Sequence, residues 1–229
     1  MDLELGLRLA AVSAEVAHAA RDVGRDPREI TTIVVTKFHP ASLVRELADL
    51  GVRDFGESRH QEAQPKVAEL ADLDATWHFI GQLQTKKARQ VREYVHVIHS
   101  IDRPGLVDAL AGATDGPARD PLDVFLQINL TDDPERGGAQ PDDVASLADR
   151  VAATPALRLR GLMAVAPLEA EPRREFARVR ALSERLRMTH PEASALSMGM
   201  SGDFREAIAE GATHLRIGTA ITGIRPAHG

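Results

Sequence analysis

One lysine stands at the end of a hydrophobic segment, where its amine could take part in chemistry. Lys37 follows a run of apolar and β-branched residues in the sequence TTIVVTKFHP. Such a run predicts a strand buried on both faces, as in parallel sheets. Because side chains alternate along a strand, Ile33, Val35 and Lys37 share one face. We expect desolvation to lower the pKa of this amine and to favour its neutral, nucleophilic form. The alternative is a lysine that reaches from the strand end to solvent.

Two glycine-containing segments near the C-terminus have the composition of anion-binding turns. In LSMGMSGDF, two glycines bracket Met200 and Ser201 just before a predicted helix. In HLRIGT, Gly218 and Thr219 follow a predicted strand. Backbone N–H groups and a hydroxyl at the positive end of a helix suit a phosphate. The alternative for each segment is a glycine turn with an ordinary serine or threonine helix cap.

An arginine lies within the last predicted strand. Alternation places Arg216 on the same face as His214 and opposite Leu215 and Ile217. If that face is the interior of a barrel, a permanent cation points inward. It could pair with a barrel carboxylate such as Glu57. The functional interpretation is a hydrogen-bond donor to a ring nitrogen of a bound cofactor.

Strands and helices alternate along the chain and would position these residues. Apolar runs bounded by turn residues predict eight strands, the first ending at Lys37 and the others over residues 52–55, 76–80, 96–100, 124–130, 157–165, 195–198 and 213–217. Apolar residues at helical spacing predict helices from about residue 5 to near 24 and over residues 40–50, 59–73, 84–94, 105–111, 141–153, 171–188 and 203–210.

This alternation predicts an α/β fold. Parallel strands with right-handed crossovers are implied, and eight units in 229 residues suit a single closed (β/α)8 TIM barrel. An open doubly wound sheet is the alternative, but the chain has no GxGxxG dinucleotide motif. No linker-like segment is apparent, so residues 1–229 are predicted to form one domain. In such a barrel the chemistry belongs at the C-terminal ends of the strands, where Lys37 and both glycine segments fall.

The composition excludes several classes of protein. A net charge of −6 and a pI near 5.9 argue against a nucleic-acid binder. The absence of cysteine excludes disulfides, thiolate metal sites and thiol nucleophiles. His96 and His99 are three apart on a predicted strand, so they point to opposite faces and suit no shared metal. The acidic start is unlike a signal peptide and no apolar run could span a bilayer, so we expect a soluble cytoplasmic protein.

A phosphate-binding turn, a lysine able to condense with an aldehyde and a partner for a pyridine nitrogen are together the requirements of pyridoxal 5′-phosphate. The chain also resembles the pyridoxal phosphate homeostasis protein family, whose fold is similar to the N-terminal barrel domain of alanine racemase. The resemblance covers nearly the whole chain and is most specific in the last of these segments: VVTKFHP, FGESRHQEAQPK, WHFIGQLQTKK, HSID, LQINL, GLMAVAP and LSMGMSGDFREAIAEGATHLRIGTAITG.

The resemblance implies roles for individual residues. In that family the lysine matching Lys37 forms a Schiff base with pyridoxal 5′-phosphate. Residues matching Ser201, Gly218 and Thr219 hold the phosphate, and the arginine matching Arg216 faces the pyridine nitrogen.

Met200 and Ser58 complete the predicted set of cofactor-binding residues. Family members commonly have asparagine where Ser58 stands. Serine has no side-chain amide, so it cannot supply a hydrogen bond near the cofactor from that group. Gln82 and Lys86 also depart from the family pattern, which has histidine and asparagine at these positions. These differences leave Lys37 and the phosphate turns unchanged.

The resemblance implies a binding protein rather than an enzyme. We expect a carrier or buffer in intracellular pyridoxal phosphate homeostasis, with pyridoxal phosphate-dependent apo-enzymes as partners, and a monomer. An arginine beside the ring nitrogen keeps that nitrogen unprotonated and weakens the ring as an electron sink, which suits a racemase-like site or a carrier. A weak amino-acid racemase is the alternative, although Tyr94, the only tyrosine, lies on a predicted helix. A different class, an interaction protein with an empty barrel, predicts a colourless protein that binds no pyridoxal phosphate.

Overall fold

A closed barrel of parallel strands forms the centre of the molecule. The computed structural model describes residues 3–112, 120–133 and 136–223. Neighbouring strands follow one another in sequence order, and the last pairs with the first. The strands are β1 Thr31–Val35, β2 Asp54–Glu57, β3 Thr76–Phe79, β4 Val97–Ile101, β5 Leu122–Ile128, β6 Leu157–Ala164, β7 Ala195–Ser197 and β8 His214–Ile217. The predicted (β/α)8 TIM barrel is therefore confirmed.

Helices connect the strands and surround the barrel. They are α1 Leu3–Asp22, α2 Ala41–Asp49, α3 His60–Glu69, α4 Ala88–Arg92, α5 Pro104–Ala111, α6 Val144–Ala152, α7 Pro172–Leu186, α8 Phe204–Ala209 and α9 Thr219–Thr222. The N-terminal helix α1 packs against α8 and α9. The Arg8 Nε–H group stabilises this contact by donating a hydrogen bond to the Ile221 carbonyl oxygen at 2.8 Å. Among the described residues, no helix has the length and hydrophobicity needed to cross a bilayer.

Several element boundaries differ from the predictions. β2 covers Asp54–Glu57 rather than residues 52–55, because Gly56 continues the strand where a side chain would crowd its neighbour. A Cβ atom at Gly56 would lie 3.1 Å from Ile33 Cγ2. β1 ends at Val35, so Lys37 lies in the turn beyond the strand and not at its last position. The helix predicted over residues 84–94 is a 3₁₀ turn, Thr85–Lys87, followed by the short α4.

The hydrophobic core has two layers. The larger layer lies between the outer face of the barrel and the helices, and includes the fully buried Val34, Phe55 and Ile98. The smaller layer fills the barrel interior with Val97, Phe125 and Met163, among others. Burying a side chain of this size stabilises the fold by roughly 1.5–3 kcal/mol. The interior layer shares its space with polar side chains, which bear on the functional site.

Candidate functional site

The turn that carries Lys37 is tight and conformationally unusual. Lys37 and Phe38 follow Thr36 directly after β1. Phe38 has a φ of 68°, and it is the only residue other than glycine with positive φ in the described part of the chain. Left-handed backbone at a residue of this kind is unfavourable, and it persists where surrounding contacts hold it in place. The backbone conformation next to Lys37 therefore depends on contacts with surrounding residues.

Helix α3 supplies those contacts. The Lys66 Nζ atom donates to the Thr36 carbonyl at 2.9 Å and to Glu57 Oε1 at 2.6 Å. The Thr36 hydroxyl donates to the same Glu57 oxygen at 2.7 Å. One turn earlier on α3, Glu62 accepts the Phe38 backbone N–H at 3.2 Å. The Lys37 turn is thus held on both sides by charged groups of one helix and the end of β2.

The ion pair between Glu57 and Lys66 is buried. The side chains of Glu57 and Lys66 are only 2 % and 8 % exposed. Burial raises the pKa of Glu57, while the Lys66 ammonium opposes that change. A buried ion pair of this type adds little net stability, but loss of one partner leaves the other charge in the protein interior.

The first and last strands bring the Lys37 turn beside the predicted phosphate turns. β1 and β8 are parallel neighbours, and Val34 is opposite Ile217 in their register. The chain therefore leaves β8 at Gly218 at the same end of the barrel where β1 leads to Lys37. A Cβ atom at Gly218 would lie 3.6 Å from Val35 Cβ, which shows how closely the two segments approach.

The second phosphate turn joins the first through a hydrogen bond. The Ala220 backbone N–H donates to the Ser201 hydroxyl oxygen at 3.4 Å. Gly199 begins this turn with a φ of 96°, and a Cβ atom there would lie 2.6 Å from Ala207 Cβ. Only glycine satisfies both conditions. Ser201, Gly218 and Thr219 are thereby brought to one edge of the barrel mouth, as the sequence predicted.

Met200 contributes less to an anion site than its position in the sequence indicates. Its backbone N–H donates to Asp203 Oδ1 at 2.6 Å, so that donor is already engaged. Burial raises the pKa of Asp203, and the hydrogen bond from Met200 opposes this change. By accepting this hydrogen bond, the Asp203 carboxylate closes the turn that contains Ser201. A role for Met200 in cofactor binding therefore stays a prediction that relies on its side chain.

Arg216 points into the barrel, as alternation predicted. It is 4 % exposed. Its Nη1 atom donates to the carbonyl and hydroxyl oxygens of Ser197, both at 2.7 Å, and Nη2 donates to the Ala164 carbonyl at 2.9 Å. The alternative pairing with Glu57 is not found, because Glu57 lies outside the barrel with Lys66. Burial lowers the pKa of Arg216 to about 10, so the guanidinium is still protonated at neutral pH.

Ser58 follows β2 at the same end of the barrel as Lys37, because β1 and β2 are parallel neighbours with Val35 opposite Gly56. It packs against Gly81, where a Cβ atom would lie 2.2 Å from the Ser58 carbonyl oxygen. Ser58 also lines a cavity of about 160 Å³ together with His60, Gln82 and Lys87. None of the other predicted cofactor residues lines this cavity. A contact between Ser58 and the cofactor stays a prediction.

Comparison with known proteins identifies the family. Residues 7–226 match the family described as alanine racemase, N-terminal domain. The chain is 44 % identical over 218 residues to the pyridoxal phosphate homeostasis protein of Pseudomonas aeruginosa, covering 95 % of this chain and 94 % of that protein. It is 41 % identical over 229 residues to the protein of the same name from Escherichia coli K12, with 97 % of each chain covered. The chain belongs to the pyridoxal phosphate homeostasis protein family.

Solved structures of relatives share the fold. The structure of PipY from Synechococcus elongatus with pyridoxal phosphate bound is 36 % identical, with a TM-score of 0.84 over 96 % of this chain and all of that chain. Alanine racemase from Corynebacterium glutamicum is only 16 % identical, with a TM-score of 0.69, and this chain covers 63 % of it. That second likeness concerns the barrel fold alone.

In this member of the family, sequence reasoning missed a group of polar side chains inside the barrel. The sequence assigned no role to His78, and His99 was considered only as a metal ligand, yet their rings are joined by a hydrogen bond of 3.0 Å. Asp54 and Ser197 continue this contact on either side. The signal was available in the strand TWHF, where alternation puts the histidine on the face opposite Trp77 and Phe79.

The positions of the side chains also bear on metal binding and on proton transfer by a tyrosine. No group of three or more histidine, aspartate or glutamate side chains within the described residues could hold a metal ion. Tyr94 lies between α4 and β4, before the N-terminal end of that strand, and its hydroxyl is 3.2 Å from His60 Nδ1. Burial raises the pKa of Tyr94 above its ordinary value. This tyrosine is therefore poorly suited to exchange protons with a substrate near Lys37.

Proposed function

We propose that this protein binds pyridoxal 5′-phosphate at the C-terminal end of its barrel, with Lys37 as the covalent attachment point, and serves as a carrier of that cofactor. The observation that supports this most is the register of β1 with β8. It sets the Lys37 turn beside Gly218 and Thr219, and the Ala220 N–H draws Ser201 to the same edge. The relative PipY, solved with pyridoxal phosphate bound, supports the choice of ligand.

The available donors fit the three chemical parts of this cofactor. When bound, the cofactor would supply an aldehyde with which the Lys37 amine could condense, with loss of water. Ser201, Gly218 and Thr219 offer a hydroxyl and backbone N–H groups to the phosphate. The glycine at 218 leaves the backbone open to close approach by an anion.

Arg216 provides the third part of the fit. A guanidinium has five N–H groups. Three of them donate to Ser197 and Ala164 in the structure, which leaves two for a ligand. A pyridine nitrogen is a suitable acceptor, and because arginine stays protonated, it holds that nitrogen unprotonated.

A carrier role is favoured over racemisation by the residues near the amine. Racemisation by two bases requires a second proton-transfer group on the other side of the substrate. The only tyrosine, Tyr94, contacts His60 of α3 through its hydroxyl, on the helix side of the barrel wall. An unprotonated ring nitrogen weakens electron withdrawal from a substrate carbon, which is compatible with a racemase-like site and with a carrier. The position of Tyr94 is therefore the feature that favours storage and release of the cofactor over catalysis.

An absorbance titration tests the binding proposal. Purified protein is titrated with pyridoxal 5′-phosphate, reduced with borohydride and compared with Lys37→Ala. We expect the visible absorbance of a covalent adduct in the wild type, its disappearance on reduction, and no reducible adduct in the variant. Wild-type protein that stays colourless with excess cofactor would instead favour an interaction protein with an empty barrel.

Two further measurements test the carrier role. The loaded protein is mixed with a pyridoxal phosphate-dependent apo-enzyme, and recovery of that enzyme's activity is followed against the same concentration of free cofactor. If the activity of the apo-enzyme recovers without a lag after the loaded protein is added, the carrier role is supported. Interconversion of d- and l-alanine that disappears in Lys37→Ala would favour a racemase. Light scattering during gel filtration tests the expected monomer.

A further inference from the structure

A continuous path of side chains crosses the barrel interior and ends on Arg216. The Asp54 carboxylate is 2.9 Å from His78 Nε2, and His78 Nδ1 is 3.0 Å from His99 Nε2. His99 Nδ1 is 2.9 Å from the Ser197 hydroxyl, which accepts the Arg216 Nη1–H at 2.7 Å. Asp54 begins β2 and Ser197 ends β7. The path therefore rises from the N-terminal end of the barrel towards its C-terminal mouth.

The Asp54 end of the path fixes the direction of its hydrogen bonds when both histidine rings are neutral. The Asp54 carboxylate can only accept, so His78 carries its hydrogen on Nε2 and donates it to Asp54. His78 Nδ1 is then an acceptor, and His99 donates to it from Nε2.

The remaining links follow in the same way. A neutral His99 accepts the Ser197 hydroxyl hydrogen on Nδ1, and the Ser197 oxygen accepts from Arg216, which can only donate. In this arrangement both histidines are Nε2–H tautomers, and each group has a donor or acceptor partner. Chains of hydrogen bonds in one direction polarise one another and hold their members firmly.

The surroundings of His99 agree with a neutral ring. His99 is fully buried, and its ring stacks on Phe125 with centroids 4.5 Å apart and an interplanar angle of 12°. Burial is the largest cause that lowers the pKa of His99 well below its ordinary value, and the Arg216 guanidinium acts in the same direction. The acidic group on this path is Asp54, at the far end from the barrel mouth.

Apolar side chains could fill this space without any need for hydrogen-bond partners. Buried polar networks destabilise a protein when any member lacks a partner. The path also converges on the one side chain that faces the pyridine nitrogen in the proposed function. We propose that Asp54, His78, His99 and Ser197 are positioning residues that hold Arg216 for the ring nitrogen of pyridoxal 5′-phosphate. This inference rests on the proposed function only for the identity of the ring.

The first experiment needs no cofactor. ¹⁵N-histidine-labelled protein is examined by NMR at neutral pH, with His78→Gln and His99→Gln used to assign the two rings. We expect both to be neutral with the hydrogen on Nε2. A charged ring or an Nδ1–H tautomer at either position would overturn the assigned direction of the path, whether or not the protein binds pyridoxal phosphate.

The second experiment measures the effect of the path on the bound cofactor. Ser197→Ala removes the link to Arg216, and Ser197→Thr retains a hydroxyl. Ser100→Ala is the matched control, since Ser100 is a buried serine of β4 whose hydroxyl has no hydrogen-bond partner within the described residues. Affinity for pyridoxal 5′-phosphate and the absorbance maximum of the adduct are measured for each protein. Circular dichroism verifies that each variant is folded.

The expected pattern separates positioning from a general loss of structure. Ser197→Ala should weaken cofactor binding about tenfold or more, as for loss of a hydrogen bond to a charged group, and should shift the absorbance maximum. Ser197→Thr should restore most of both, and Ser100→Ala should change neither. If Ser197→Ala does not fold, His99→Leu against His99→Gln gives the same comparison. Folded variants with wild-type affinity and spectrum would overturn the proposal. Absence of cofactor binding in wild-type protein would instead refute the proposed function.

Discussion

The two faces of strand β2 carry the two buried polar systems of this protein. Asp54 points into the barrel and begins a path of hydrogen bonds through neutral groups to the Arg216 side chain. Glu57, three residues later, points outward and forms a compact ion pair with Lys66. The inner system orients a side chain, whereas the outer system holds the backbone before Lys37. Changes to the outer system should therefore affect folding most, and changes to the inner system should affect the state of the cofactor.

The largest effect is expected from removing one charge of the outer pair. Lys66→Met leaves the Glu57 carboxylate buried without its cation, which should lower the free energy of unfolding by about 3–5 kcal/mol in urea denaturation. The double variant Glu57→Gln/Lys66→Met removes both charges and should be less destabilised than Lys66→Met. A double variant at least as unstable as the single one would contradict the ion-pair account of this region.

Acid should destabilise the barrel interior through its neutral histidines. Burial lowers the pKa of His214 to about 4, and that of His99 is lowered as well. The unfolded chain, with histidine pKa values near 6.5, then binds more protons than the folded chain as pH falls. Stability is present above about pH 6.5 and is lost towards pH 4, by up to about 1.4 kcal/mol per pH unit for each such histidine.

The variant His214→Gln measures one part of this dependence. Urea denaturation at a series of pH values should give a shallower loss of stability between about pH 6.5 and pH 4 than in the wild type. Equal slopes in the two proteins would show that the interior histidine does not titrate as its burial requires.

A smaller effect is expected in the phosphate turn, which is shaped by backbone rather than by either polar system. Gly199→Ala introduces a side chain at a φ of 96° and 2.6 Å from Ala207 Cβ, so we expect a loss of about 1–3 kcal/mol and weaker cofactor binding. Gly202→Ala in the same turn meets no atom within 4 Å. Thermal unfolding should separate the two variants, and equal melting temperatures would argue against strain at Gly199.

The fold was predictable because its signals are local. Each strand is a short apolar run and each long helix has apolar residues at regular spacing, as in α7 Pro172–Leu186. Boundaries were less accurate where a glycine or charged residue continues a strand, as Gly56 and Glu57 do in β2. Their side-chain environments depend on Ile33 and Lys66, which are distant in sequence.

The candidate site was predictable in part for the same reason. Lys37, Ser201 and the Gly218 turn stand out by residue type and by their place after strands. The contacts of Lys66 and Asp203 could not be read from local pattern, since each depends on the way a helix or turn folds back over the barrel. The path to Arg216 crosses five strands, so pairing between its members required the closed barrel.

The central claim is that one particular amine holds the cofactor. The chain has four lysines, Lys37, Lys66, Lys86 and Lys87, which makes direct mapping feasible. Protein loaded with pyridoxal 5′-phosphate is reduced with borohydride, digested and examined by tandem mass spectrometry. We predict that the reduced adduct is found on Lys37 at close to one per chain. An adduct chiefly on any of the other three lysines, or none at all, would contradict this account.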